Sequence, residues 1–317
     1  MGLTVDRRDS LDMTDTGTVH RRQHDLDRDV RLKAIREAAY NIRMGVLEQG
    51  QAQGEGYVGQ GLGAADILAV VFRDQLTYDP SDPEWEGRDR FLLSTGHYAL
   101  AAYSAFAEAG IVPREELLTY AADGSRLPMS GMSTYTPGME ISGGSLGHGL
   151  TLGVGHALGL RAQGKDAKTF VFFSDGELDE GSTWEAAMSA AHWQLGNLVA
   201  MVDMNGLQAD GPTGDILSNE PQEERWASFG WDVHRVDGND PVALLDAFDA
   251  CVDGAQATGR PHVVICDTRV GAGVPLLENR EKLHFMRVEA EDWPVCMGQL
   301  THGYEAAAAA GTDGKVA

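Results

Sequence analysis

Basic residues are scarce. Lysine and arginine number 25 against 48 aspartates and glutamates, leaving a formal charge of -23 over 317 residues. That deficit argues against nonspecific binding to nucleic acid or to an anionic membrane, so neither is expected as a partner. An anionic ligand then needs a local remedy, of which a magnesium ion or a helix N-terminus is the usual form. Long apolar runs are missing too. None approaches the roughly 18 residues of a membrane span, and the opening MGLTVDRRDSLDMTD has no apolar centre of the signal-peptide kind, so a cytoplasmic protein is expected. Cysteines number three, Cys251, Cys266 and Cys296. An odd count without short metal-ligand spacing leaves no expectation of a disulfide framework or a zinc site, and all three read as small buried residues.

What is present suffices for a large core. Hydrophobic residues make up 43% of the chain, and its length allows one large α/β domain or two modest ones. Helical patterns alternate with short apolar runs, which predicts an α/β fold with a mainly parallel sheet and helices on both faces. The polar stretch 1–26 reads as a flexible arm, 27–298 as the folded body, and 299–317, with its EAAAAAGTDGKVA, as a flexible tail. Within the body, helices are predicted over 27–49, ending at Gly50, over 64–76, 97–110 and 182–195, and over the small-residue stretch GLTLGVGHALGLRAQG, for which a subunit interface is one setting. Strands are predicted at RFLLS, TFVFFS, LVAMV and HVVICDT.

Two of these strands end on groups that bind cations. TFVFFSDG is a continuous apolar run closed by Asp175 and Gly176, as in a central strand buried on both faces. Thirty residues on, LVAMV leads through Asp203 and Met204 to Asn205. Open α/β sheets bind ligands beyond the carboxyl ends of their strands. Neighbouring strands lie about 4.8 Å apart, so Asp175 and Asn205 are expected to share one magnesium ion. A lone Asp-Gly after a strand is ordinarily a turn; the pairing of two strand ends is what gives it weight.

The longer stretch SDGELDEGSTWEAAMSAAHWQLGNLVAMVDMNGLQADGPT resembles the cofactor segment of transketolases, above all the separately encoded N-terminal subunit found in many bacteria and archaea. LGAADIL, LSTGHYALAAY, TPGMEISGGSLGHGLTLGVGHALG and VGAGVPLLENREKLH resemble further family segments in the same order, over roughly 28–290. The resemblance implies the thiamine diphosphate-binding fold (its diphosphate domain), with thiamine diphosphate and Mg2+ as cofactors. It implies metal ligation by Asp175, Asn205 and the backbone carbonyl of Leu207, and cofactor contacts at His97, Gly147, Asp175, Gly176, Glu177, Asn205 and His284. Catalytic roles fall to His97 and His284, which line the diphosphate and reaction zone, and to Glu180, which matches a subunit-interface glutamate coupled to the partner's activating glutamate. Each has a plainer reading: Glu180 as a charge at a helix N-terminus, the histidines as packing residues. His192 also matches a family position but reads as structural.

Since the chain stops near the end of the family's first domain, the resemblance implies a separate C-terminal subunit bearing the pyrimidine-binding domain, in an α2β2 assembly. The implied reaction moves a two-carbon ketol unit from a ketose to an aldehyde. Some positions depart from the family pattern. Tyr57 stands where a substrate-zone histidine is usual, LPMSGMSTYTPG lacks the histidine that precedes the Pro-Gly pair, Phe285 follows His284 in place of glycine, and His148 replaces a glutamine. These changes leave the cofactor residues intact and point to a specialised, less polar substrate. Two alternatives share part of the pattern: a non-catalytic partner subunit, and the thiamine-dependent first component of a 2-oxo acid dehydrogenase. The generic dinucleotide-binding domain fits poorly, because no GxGxxG opens a βαβ unit.

Overall fold

The computed structural model describes residues 19–278, 280 and 284–310. Five strands form a wholly parallel sheet: β1 (Arg90–Leu93), β2 (Thr169–Ser174), β3 (Leu198–Met204), β4 (Asp232–Asp237) and β5 (His262–Asp267), in the order β1-β2-β3-β5-β4. Successive side chains on a strand point to opposite faces. Phe170 and Phe172 accordingly enter one apolar cluster, while Val171 and Phe173 enter the other. Helices α1 (Arg28–Gln53), α2 (Ala65–Val70), α3 (Ala99–Glu108) and α6 (Pro241–Thr258) contribute to the first. Helices α4 (Gly149–Ala162) and α5 (Gly181–His192) contribute to the second. Since both faces are covered, the central strands read as unbroken apolar runs, which is why they stand out in the sequence.

Helix boundaries moved for identifiable reasons. Helix α1 does not end at Gly50 but runs to Gln53, and Gly54 takes the left-handed cap at φ 77°. Gly50 is a packing residue: a Cβ there would lie 2.6 Å from the Trp293 ring and 2.8 Å from Val58. The 64–76 helix splits into α2 and a π-helical turn, Val71–Gln75.

Both predicted loose ends are corrected where they are described. Residues 1–18 and 311–317 lie outside the described residues. The remainder of the expected arm is held by polar contacts that a search for apolar periodicity misses. His20 pairs with Tyr78 through backbone hydrogen bonds of 2.7 and 3.0 Å, and Arg22 forms ion pairs with Asp249 and Asp253 at 2.9 and 2.8 Å. At the other end, 299–310 belongs to α7 (Asp292–Ala310), which buries Trp293, Cys296 and Leu300 and stacks Tyr304 on Tyr40 of α1 with ring centroids 4.4 Å apart. The alanine run that looked like a tail is a run of the best helix former.

His20 gives this N-terminal contact a pH dependence. Burial, helped by Arg73 and opposed by Asp74, pushes its imidazole down to about 4, below the ordinary 6.5 of the unfolded chain. The unfolded state therefore takes up the proton first, and the stability that His20 lends is lost as pH falls from 6.5 towards 4. Between pH 7 and pH 5, His20→Phe should be spared about 1–2 kcal/mol of the loss suffered by the native chain, as read by urea unfolding at both pH values. Equal losses in the two proteins would contradict this.

Candidate active site

The carboxyl ends of β1, β2 and β3 meet on one side of the sheet. Ser174 lies in register with Asp203, so Asp175 and Asn205 are the first residues on their strands to clear or nearly clear the pairing. Asp175 is buried and its carboxylate is held from three directions: Oδ1 accepts from the Gly176 N–H at 2.9 Å, and Oδ2 accepts from the Gly206 N–H at 2.8 Å and from Thr213 Oγ1 at 2.9 Å. Burial first, and the nearby Asp203 second, push its carboxyl up to about 6.

Asn205 is aimed by its neighbours. Its Nδ2 donates to Tyr98 Oη at 2.7 Å and to Asp203 Oδ2 at 2.8 Å, while its Oδ1 accepts from the Leu207 N–H at 2.9 Å. Asp203 in turn accepts from the hydroxyls of Tyr98 and Thr268. The sequence did not single out Tyr98, Asp203 and Thr268 as residues of this network. The expected strand ended at Val202, whereas β3 continues to Met204 and so turns Asp203 into the interior, fully buried. Leu207 begins a short antiparallel pair with Gly211 and Pro212, which folds its backbone back beside the strand ends.

Glu177 and Gly147 meet each other. Glu177 Oε1 accepts from the Gly147 N–H at 2.9 Å and from Ser94 Oγ, and Ser94 Oγ accepts from the Gly149 N–H at 3.0 Å. Burial is the main reason that the Glu177 carboxyl rises to about 7, and its Oε2 has no hydrogen-bond partner among the described residues. Gly147 is at φ +80°, and a Cβ there would lie 2.4 Å from Ser182 Oγ and 2.7 Å from Glu180 Cβ, so no other residue fits. The glycine-rich stretch is thereby clamped over the start of α5. Gly176 is half-buried, and the nearest atom to an added Cβ would be Gln208 Cγ at 3.4 Å.

The histidines lie on an aromatic wall beside this acidic floor. Glu55–Gly56 pairs antiparallel with Met286–Arg287, with Gly56 opposite Met286, which brings Tyr57 to Phe285 and His284 across more than 200 residues. Tyr57 has its ring centroid 4.9 Å from His97, 5.5 Å from His284 and 5.0 Å from Phe285; the two histidines are 5.5 Å apart. Gln60 Nε2 lies 3.0 Å from His284 Nδ1. With the amide in this orientation the nitrogen donates, Nδ1 accepts and the ring proton of His284 sits on Nε2. Burial, with His284 adding to it, pushes His97 down to about 4, which leaves it neutral near pH 7. The His97 ring is in edge contact with Tyr98, so wall and floor are continuous.

Glu180, His148 and His192 are exposed, the first two close enough to Glu177 to act on its carboxyl. Glu180 is exposed at the N-terminus of α5 and makes no side-chain cap bond there. His148 is exposed, with Nδ1 3.2 Å from the Leu146 carbonyl. His192 is exposed at the end of α5, edge-on to Trp193.

The donor set suits a hard dication. Asp203 adds to burial in raising the proton affinity of Asp175, burial alone raises that of Asp203, and a cation would offset both. Asp175 and Asn205 carry the carboxylate and amide oxygens that such an ion prefers, and Leu207 lies two residues beyond, its N–H bonded to Asn205 Oδ1.

Fold and crevice thus define a three-layer α/β chain with an acidic, histidine-walled site at its strand ends. Comparison with known proteins narrows the class. The family described as transketolase, thiamine diphosphate binding domain, matches residues 35–308. A transketolase family protein of Sinorhizobium fredii is 55% identical over 82% of this chain and 92% of its own length. One of the subunits of the apulose-4-phosphate transketolase of Actinobacillus succinogenes is 38% identical over 77% and 87%, respectively. The crystal structure of a transketolase variant from Pichia stipitis superposes with a TM-score of 0.77 at 32% identity, over 86% of this chain and 40% of that one. The chain belongs to the transketolase family, as a thiamine diphosphate-binding domain of that family, and is an enzyme component of the transferase class. The family match sets aside the 2-oxo acid dehydrogenase reading.

Proposed function

We propose that this chain is the thiamine diphosphate-binding subunit of a two-subunit transketolase working in the cytoplasm. It moves a two-carbon ketol unit from a ketose donor to an aldehyde acceptor, with a separate C-terminal subunit completing an α2β2 enzyme. The observation that carries the reading is the match to subunit-type relatives over nearly their whole length. This is 87% for the apulose-4-phosphate enzyme's subunit, and 96% for the 6-deoxy-6-sulfo-D-fructose transketolase subunit of a Clostridium species, which is 34% identical.

Asp175, Asn205 Oδ1 and the Leu207 carbonyl would hold Mg2+, and Gly176 and the clamped loop at Gly147 would receive the diphosphate. Bound thiamine diphosphate supplies the electron sink for carbon-carbon cleavage. The chain's own residues do the rest. The buried Tyr98–Asp203–Thr268 network fixes the Asn205 amide so that its oxygen is presented as a ligand. His284 donates from Nε2 towards a substrate oxygen, and neutral His97 accepts or returns a proton at the reacting carbonyl oxygen. Glu180 is exposed at the rim of the crevice beside Gly147, where a partner chain can reach it. The exposed Leu152, Met188 and Trp193 on and beside the neighbouring helices α4 and α5 favour a protein contact on that side.

Tyr57 and Phe285 govern specificity. They place apolar ring surface where hydroxyls of a sugar phosphate would seek polar partners, and such a site discriminates strongly. Assayed as the reconstituted pair, the enzyme should turn over xylulose 5-phosphate with ribose 5-phosphate at least ~100-fold less efficiently than a ketose whose far end is branched, deoxygenated or otherwise less hydroxylated. High kcat/KM on the common pentose pair would refute the altered specificity. Absence of ketol transfer from every donor, with the complex formed and cofactor bound, would refute the activity itself.

A further inference from the structure

A second cluster of ligand-type side chains lies at the opposite end of the sheet. His234 is on the edge strand β4, His262 opens β5 beside it, and Cys251 comes down from α6, which covers that face. The Cys251 sulfur and one nitrogen from each ring all lie within 4.8 Å of one another. Sequence spacing hides the group, since three separate elements supply it at positions 234, 251 and 262.

These groups lack the partners that buried polar atoms normally have. His262 is 2% exposed and Cys251 wholly buried. Among the described residues, neither Nδ1 nor Nε2 of His262 has a hydrogen-bond partner, and Nε2 of His234 has none either. The surrounding positions on α6, among them Leu244, Leu245 and Phe248, fill the interior with ordinary hydrocarbon, so two imidazoles with three bare nitrogens are not what this layer otherwise uses. The rings face each other at 5.9 Å, nearly parallel, and Gly254 lies against one of them, where a Cβ would be 3.2 Å from His262 Cε1.

We propose that His234, Cys251 and His262 form a structural site for a thiophilic dication of the Zn2+ class. A thiolate and two imidazoles select such an ion over Mg2+ or Ca2+. With metal–nitrogen bonds of about 2.0–2.1 Å and a metal–sulfur bond of about 2.3 Å, tetrahedral donors sit roughly 3.3–3.6 Å apart, which small side-chain rotations reach from the observed cluster. Burial keeps both histidines neutral, the form that ligates, and pushes the free thiol up, so the thiol is no nucleophile without an ion beside it. Asp232 acts on all three groups and offsets the net positive charge of the loaded site, while its oxygens are hydrogen-bonded to Thr258 at 2.8 Å and Arg260 at 3.4 Å. A water completes the shell. The ion ties the edge strand to its covering helix. It stands about 20 Å from the strand-end crevice, since six residues of β5 and its exit, at about 3.3 Å each, separate His262 from Thr268.

The test uses the full chain stripped of metal by chelation, with Co2+ as the spectroscopic probe and Zn2+ as competitor, in native, Asp175→Asn, Cys251→Ser and His234→Gln forms. One equivalent of Co2+ should give a thiolate-to-cobalt charge-transfer band with tetrahedral d–d bands, displaced by Zn2+. Asp175→Asn should retain both the band and a Zn2+-dependent rise in Tm, separating this site from the strand-end one. Affinity should fall at least ~100-fold in Cys251→Ser and His234→Gln. His234 is half-buried on an edge strand, so its variant stays informative should Cys251→Ser unfold. Absence of the thiolate band and of the Tm rise in the native chain would overturn the site, as would an undiminished response in His234→Gln.

Discussion

Asp175→Ala is expected to lower ketol transfer by the assembled enzyme at least ~1000-fold while leaving the cofactor-free chain folded. Removal even of an outer partner of a metal ligand typically costs 10–100-fold, and here the charged ligand itself is lost, along with the field that would hold a diphosphate-bound cation in a chain of strong net negative charge. Stability should behave differently. Burial and Asp203 push the Asp175 carboxyl up to about 6, so its charge is held at a cost in the cofactor-free fold near pH 7. Its removal forfeits hydrogen bonds to the Gly176 and Gly206 N–H groups and to Thr213 but also ends the repulsion. Asp175→Asn separates the two effects: it preserves shape and part of the hydrogen bonding while losing the charge, and should still cost at least ~100-fold in activity with little change in Tm. An alanine variant within tenfold of the native enzyme would remove Asp175 from the metal site.

The purified chain alone should show no turnover, and mixing with the proposed C-terminal partner should restore it. The crevice built here supplies acid ligands, an aromatic wall and neutral histidines, yet the only glutamate proposed to couple to cofactor activation, Glu180, points out to solvent at the start of α5. Its exposure leaves Glu180 open to a group supplied by another chain. Steady-state assays with cofactor in excess measure this directly, and ketol transfer by the isolated chain would sink the two-subunit reading.

Some of this was legible in the residues and some was not, for physical reasons. The central strands β2 and β3 are buried on both faces, so their unbroken apolar runs and the acids that end them stand out in sequence. Asp203 did not, because its strand runs two residues past the apolar stretch and only the finished sheet shows the carboxylate turned inward to Tyr98 and Thr268. Tyr57 and Phe285 were visible as departures from a family pattern, but their contact depends on a two-residue antiparallel pairing between distant segments. The N-terminal segment is held by His20 and Arg22 through polar contacts without periodicity, and the alanine-rich end is a helix because Trp293, Cys296 and Leu300 give it a buried stripe. The His234–Cys251–His262 cluster had no linear signal at all, since two strands and a helix assemble it.

The most direct measurement is calorimetric titration of thiamine diphosphate with Mg2+ into the chain mixed with its C-terminal partner, set beside the chain alone and the mixture carrying Asp175→Ala. Tight, Mg2+-dependent binding is expected in the native mixture, with little in the lone chain and none with Asp175→Ala. Complex formation without cofactor binding, or binding untouched by Asp175→Ala, would contradict it.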